Sequence, residues 1–548
     1  MKTKIAFLSL FILFLNYQIY SQWKAEGVVI VDTSANLNAE YPIFPILVDD
    51  GSGGAVICWH DNRFGDKYLD IYAQRIDNEG KVRWKKNGIP ICSYVYRQQF
   101  PQICRDNNNN FFISWQDGRD AVYFYPAIQK IDINGNILWK ENGIRLSGQR
   151  GLDNRIVPDY KGGVYIAYTL PYDNEDFKAK VICQRLGSNG EKLFGDTGIV
   201  VCKKYGLIST SEIAATSDNN GGIIIAWNLN NIIIAQRINS EGKKLWGNDG
   251  QIVGYSSGGN STISVIGNLD GSAFIKWSYT YEKASVNNKF EFVNKVSSDG
   301  IVLLGFGGIK ISDVEEYSYD GVKRFVSDGN NGFYFTHSLF LQKFNENVKP
   351  QWPSNAIPFY NLTNISDANV INSNNEGVYI FGQTSSKIYA QYFDKNGGRL
   401  FSNNGLLVYS SPSQSIYKLN CISDGADGVI LTWRELSSIK AIKINKNGVI
   451  NKINFEDNIL PITTKLYQNY PNPFNPVTSI KYDLSNDDNI KIIIYDLLGR
   501  EAKVVYNGFQ KKGSYIINID CSDISSGVYF YKLITSSYQD SRSMVLTK

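Results

Sequence analysis

The sequence predicts an all-β chain: a multi-bladed, four-stranded β-propeller followed by a small β-sandwich. Three observations predict it. Short apolar runs alternate with turns rich in Gly, Asn and Asp, and no helical stripe intervenes. An aromatic or apolar anchor recurs, with Gly four residues before it and Gly four residues after it. That unit stops near Asn454, and about 80 residues of short strands follow.

The repeat sets the order of the elements. Its anchors are Trp84, Trp139, Phe194, Trp246, Leu304 and Phe401, with a degraded copy at Trp352 and a half-copy at Trp23. Steps between them run from 48 to 61 residues, the length of a four-strand blade. Each unit has a first apolar run (FPQICRD), an Asp/Asn/Gly turn, a second run often ending in Trp (GIIIAW), a third (IIIAQRI) and a fourth after the anchor (GIVVC). These are strands A to D. Strands B and C are apolar at successive positions, as expected where both faces of a sheet are covered. The region therefore resembles secreted β-propeller repeat proteins.

Eight anchors predict eight blades, or seven if the unit around Trp352 is not a full blade. The half-copy WKAEGVVIVD has a D strand alone, and the last unit has A to C with Lys452 in place of an anchor. Circular closure follows: the N-terminal strand completes the last blade and removes an exposed sheet edge. The expected boundaries are 22–453 for the propeller, 454–465 for a linker and 466–548 for the sandwich.

Residues 1–21 read as a cleaved export signal. Lys2 and Lys4 precede the apolar run Ala6 to Leu15, which is too short to span a bilayer, and Ser21 offers a small residue at the cut. No later stretch reaches the ~20 apolar residues of a membrane helix, so the mature chain is expected without a transmembrane segment. A formal charge of +4 over 548 residues argues against nucleic acid as a partner. The seven Cys fit no metal spacing and sit mostly in apolar runs, so buried thiols are expected rather than a disulfide framework.

Little in the repeats carries chemistry. His60 and His337 stand in different units, which argues against a metal site or a Ser-His-Asp device. No cofactor motif is present. Turns such as Asp49-Asp50-Gly51 and Asp424-Gly425-Ala426-Asp427 offer oxygens to Ca²⁺, but without an ordered ligand series, and read better as plain turns. The B–C loops vary most between units and share a face with the D–A connections, which marks that face as the candidate site.

Two of those loops carry Trp-x-Asp-x-Arg: Trp59, Asp61, Arg63 and Trp115, Asp117, Arg119. The Asp–Arg pairing suits sugar hydroxyls or carboxylates, and equally suits a lock within each loop. Aromatics stand nearby at Tyr68, Tyr123, Phe124, Tyr125, Tyr168 and Tyr172. The candidate ligand contacts are Asp61, Arg63, Asp117, Arg119, Tyr123, Tyr125 and Tyr172. Acidic groups at Asp66, Asp120, Asp173, Glu175, Asp176, Glu282 and Glu435 offer carboxylates for an alternative, a polysaccharide-acting hydrolase or lyase. No catalytic residue is assigned.

The C-terminal segment carries a specific set of motifs. They are Tyr470-Pro471-Asn472-Pro473-Phe474-Asn475-Pro476, then Ile494-Tyr495-Asp496-Leu497-Leu498-Gly499-Arg500, Gly513-Ser514-Tyr515, Ser526-Gly527-Val528-Tyr529 and a terminal Met544-Val545-Leu546-Thr547-Lys548. In this order they resemble the type IX secretion C-terminal sorting domain, type A. The resemblance implies an Ig-like sandwich, passage through the periplasm and across the outer membrane on the type IX machinery, and release or attachment at the cell surface. The expected role is thus an exported module that binds a glycan or protein on its loop face.

Overall fold

The computed structural model describes residues 23–32, 43–63, 68–170, 180–202, 208–256, 262–283, 286–312, 325–337, 340–352, 357–358, 365, 367–373, 377–402, 405–426, 428–445, 463–469 and 471–548. The expected export signal, most of the expected linker, Tyr172 and Tyr470 lie outside them. The chain divides into two compact units, Met1–Asn451 and Lys452–Lys548. Regular structure among the described residues is all β.

The first unit holds eight four-stranded antiparallel sheets among its described residues. Sheet 1 runs Ile43–Asp49, Ala55–Asp61, Asp70–Ile76 and Ile89–Cys92, and sheet 2 runs Gln98–Arg105, Phe111–Asp117, Tyr125–Ile131 and Ile144–Arg145. Five more sheets follow in chain order. The unit around Trp352 supplies all four strands of the sixth, from Phe325 to Pro358. In the eighth, Ile416–Ser423, Val429–Glu435 and Ser438–Ile444 are joined by Val28–Asp32 from the N-terminus, with Val28 opposite Ala441. Strand A of each sheet packs on strand A of the next, and that of sheet 8 returns to that of sheet 1. The sheets therefore close into a ring, as the half-copy at Trp23 predicts.

The repeat residues make the ring. Trp59, Trp115, Trp227, Trp277 and Trp433 lie fully buried within their B strands. The glycine after an anchor clears space for them: Gly88 sits at φ +87°, where a Cβ would stand 2.7 Å from the Trp59 ring. A strand C amide fastens the C–D turn in six of the sheets. Gln74 donates to the Lys85 carbonyl (2.7 Å) and accepts from the Trp84 N–H (2.9 Å). Gln129, Gln184, Gln236, Asn294 and Gln391 repeat both bonds. The anchor indole then reaches the next sheet: Trp84 Nε1 donates to Ile133 O at 3.2 Å and Trp139 Nε1 to Ser188 O at 3.0 Å. At the Trp anchors the indole is thus a staple between sheets.

The second unit has two antiparallel sheets. One joins Lys465–Leu466, Val477–Leu484 and Gly513–Asp520, and the other Asp488–Tyr495, Glu501–Gln510, Gly527–Ile534 and Gln539–Leu546. Ile480, Tyr482, Ile492, Ile494, Tyr531, Leu533 and Met544 meet in one core between them.

Candidate functional site

The two Trp-x-Asp-x-Arg loops are locked from within. Asp61 is fully buried and accepts from Trp59 Nε1 (2.6 Å), Arg63 Nε (2.9 Å) and Arg63 Nη2 (2.7 Å). Arg63 Nη1 then donates to Asn87 O at 2.7 Å, and its guanidinium carbon lies 3.5 Å from the Tyr72 ring centre. Asp117, also fully buried, pairs with Arg119 Nε and with Arg145 Nε (2.8 Å), while Arg119 Nη2 donates to Asn142 O (2.7 Å). Each pair ties a B–C loop to the turn before strand D. The carboxylates of Asp61 and Asp117 present no surface to a ligand, and Arg63 and Arg119 are largely spent on them.

A cleft of about 230 Å³ lies beside the second lock, lined by Tyr68, Tyr96, Arg97, Gly118, Val122, Tyr123 and Phe124, with Ala121. It joins the B–C loop of sheet 2 to the D–A connection from sheet 1. Local chemistry shapes it. Gly118 N–H donates to Arg97 O (2.7 Å), and a Cβ on Gly118 would stand 2.9 Å from that oxygen. Asp120 accepts from the N–H groups of Val122 (3.3 Å) and Tyr123 (3.2 Å), turning the loop through Ala121 at φ +68°. Tyr96 takes φ +71°, and its ring meets that of Tyr68 edge-on at 5.1 Å. Both are costly conformations for a side-chain-bearing residue.

Of the sequence candidates, Tyr123 lines this cleft and is 48% exposed. Tyr125 stands next to it under Arg145, whose guanidinium carbon is 4.2 Å from the ring centre. Tyr68 and Phe124 join them, whereas Tyr168 is core. Tyr96 and Arg97 were not singled out in the sequence. Their signal was position alone, in a D–A connection on the variable-loop face.

Among the described residues the acidic candidates Asp120 and Glu435 belong to different sheets, the second and the eighth. Asp66, Asp173, Glu175 and Asp176 lie outside the described residues. Glu435 is held by Lys440 (2.5 Å), Tyr409 (2.7 Å) and Ser411. The turn carboxylates are taken up by their own loops: Asp50 accepts from Ser52 and Gly54 N–H, both at 2.8 Å, and pairs with Arg75, while Asp424 repeats this with Ala426, Gly428 and Lys443. No group of three or more His, Cys, Asp or Glu side chains suited to a metal ion occurs among the described residues. His60 is packed in an aromatic cluster with Phe44 and Phe100 and accepts the Phe100 N–H at 3.1 Å. No disulfide joins any two of the seven Cys.

In the second unit the proline-rich motif clamps the last strand. Phe474 is buried and pairs with the C-terminal strand on both sides: its N–H donates to Val545 O (3.0 Å), and its carbonyl accepts from Thr547 N–H (2.9 Å). Asn472 Oδ1 accepts from Val545 N–H at 2.8 Å. The prolines on either side lack donors, so Phe474 makes the backbone bridge and Asn472 adds to it through its side chain. Gly499, at φ +75°, closes the turn on Asp496, and Gly527 opens the strand opposite Leu546.

Residues 468–547 match the family of secretion system C-terminal sorting domains. The chain thus carries a type IX sorting domain, which marks it for secretion or attachment at the cell surface. No curated protein matches the chain in sequence. Among solved structures it is similar to a polysaccharide lyase, an ulvan lyase, at 9% identity and TM-score 0.39, covering 77% of this chain and 96% of that one. The extracellular region of plexin A4 is similar at 10% identity and TM-score 0.37, covering 95% and 62%. An α-L-arabinofuranosidase of Fusarium graminearum is similar at 8% identity and TM-score 0.35, covering 77% and 97%. At these scores the three say nothing of what this chain binds. No helix among the described residues is long and apolar enough to cross a membrane.

Proposed function

We propose that this chain is an exported recognition protein: an eight-bladed β-propeller that binds a glycan on its B–C loop face, delivered by an Ig-like type IX sorting domain. The observation that carries the reading is the cleft of half-exposed aromatic rings at Tyr68, Tyr96, Tyr123 and Phe124. Tyrosine faces give large contact area to the C–H faces of a sugar at small entropic cost. The ring of strand A contacts supports eight blades, and the shared core of two sheets supports an Ig-like sandwich. An N-terminal signal would bring the chain to the periplasm, and the sorting domain across the outer membrane.

A hydrolase or lyase is the less favoured reading. A hydrolase needs two carboxylates within reach of substrate, and Asp61 and Asp117 are buried in ion pairs. A glycan array with the full chain tests the proposal, run beside product sizing on the same polysaccharides. Selective binding that is lost in Tyr123→Ala, without chain shortening, is the expected result. Shortened products would replace the binding role with an enzymatic one.

A further inference from the structure

We propose that the cleft selects an anionic sugar ring, one that carries a carboxylate or a sulfate. This rests on the reading of the cleft as a glycan site and adds its ligand class. The ring lies on the tyrosine faces, and its acid group meets the guanidinium of Arg97.

The argument is one of charge and size. Arg97 is exposed and lines the cleft, with its backbone fixed by the bond from Gly118. Arg150 stacks over Tyr123, its guanidinium carbon 5.4 Å from the ring centre, and Arg119 stacks over Tyr94 at 4.9 Å. The loop's acids are engaged. Asp117 is buried between Arg119 and Arg145, and Asp120 caps its own turn with Arg145 at 3.9 Å. Among the described residues the lining of the cleft is aromatic and apolar with one cation, Arg97, while the exposed Asp120 beside it is turned to its own loop N–H groups. A guanidinium fork holds a carboxylate or sulfate in two parallel hydrogen bonds, which a neutral sugar cannot offer. At about 230 Å³ the cleft falls below the ~300–1,000 Å³ of sites that enclose a whole ligand, so it takes one ring of a longer chain.

The test is calorimetric titration of the full chain with three probes of matched length: oligogalacturonate, a sulfated galactan oligosaccharide and a neutral galactan oligosaccharide. The expected result is affinity about tenfold higher for at least one anionic probe, falling as salt rises. The anionic arms distinguish carboxylate from sulfate. Arg97→Gln should bring that probe down to the neutral level with an unchanged melting temperature, since the side chain is exposed. Arg500→Gln, on the other unit, should change nothing. Equal binding of all three probes, sensitive to Tyr123→Ala but not to Arg97→Gln, overturns the anionic selectivity and leaves the glycan cleft standing. No binding of any probe overturns both.

Discussion

Trp23 donates its indole N–H to the carbonyl of Asn78, 55 residues further on, at 2.8 Å. The same bond links Trp84 to Ile133, Trp139 to Ser188, Trp246 to Ser298 and Trp352 to Lys395. What differs at Trp23 is that the bond joins sheet 8 to sheet 1. The N-terminal half-copy thus closes the ring with the staple that every full unit with a Trp anchor uses.

Trp23→Phe should therefore cost about 1–2 kcal/mol through the lost hydrogen bond and the unpaired Asn78 carbonyl. Trp246→Phe, away from the closure, should cost about the same. Trp23→Ala should cost about 3–5 kcal/mol, because a fully buried indole is removed. Urea unfolding of the three variants checks this. A Trp23→Ala variant as stable as the parent would mean that the N-terminal strand does not hold the ring.

His60 gives the fold a pH limit. Burial holds its imidazole down to about 4, against the weaker opposing pull of Asp61. The folded form thus resists a proton that the unfolded chain accepts near pH 6.5. Stability from this group is full above pH 6.5 and is lost as pH falls toward 4. The loss should approach about 3 kcal/mol. Unfolding measured from pH 7 to 4.5 should show the slope in the parent and a flatter curve in His60→Gln. Equal slopes in both would place the titration elsewhere.

The thiols should be quiet in the folded state. Six of the seven are buried, and burial pushes Cys92 up to about 12 and Cys104 and Cys183 further still. Labelling in denaturant should count seven free thiols, and labelling of the native protein should be slow. Fewer than five in denaturant would reveal disulfides that the geometry does not contain.

Phe474 should decide whether the sorting domain holds its last strand. Phe474→Ala empties a core position between the two strand bonds and should destabilise this unit by about 3–5 kcal/mol. Export should fall with it, as on removal of residues 466–548. Undiminished secretion of the Phe474→Ala chain would separate the motif's packing from its sorting role.

The site was only partly legible. Tyr123, Tyr68 and Phe124 follow from their place in variable loops, and they do line the cleft. Tyr96 and Arg97 are not legible in the sequence, because nothing in their spacing says which neighbouring loop they meet. Asp61 and Asp117 are candidates in the sequence because Trp-x-Asp-x-Arg recurs. Recurrence could not separate a ligand contact from a lock, since both ask for an acceptor beside a fork of donors.

The repeat, its four strands and its closure by an N-terminal half-copy were determined by the sequence alone. Those features rest on local chemistry: glycines that take left-handed turns, and apolar runs that need both faces covered. Tertiary structure alone decided that strand C amides fasten the C–D turns, that anchor indoles bond across sheets, and that Asp61 and Asp117 turn inward. It also decided that two connections from different sheets meet as an aromatic cleft with one cation, Arg97. Each of these depends on distances between neighbouring units, which the spacing of residues along one unit does not encode.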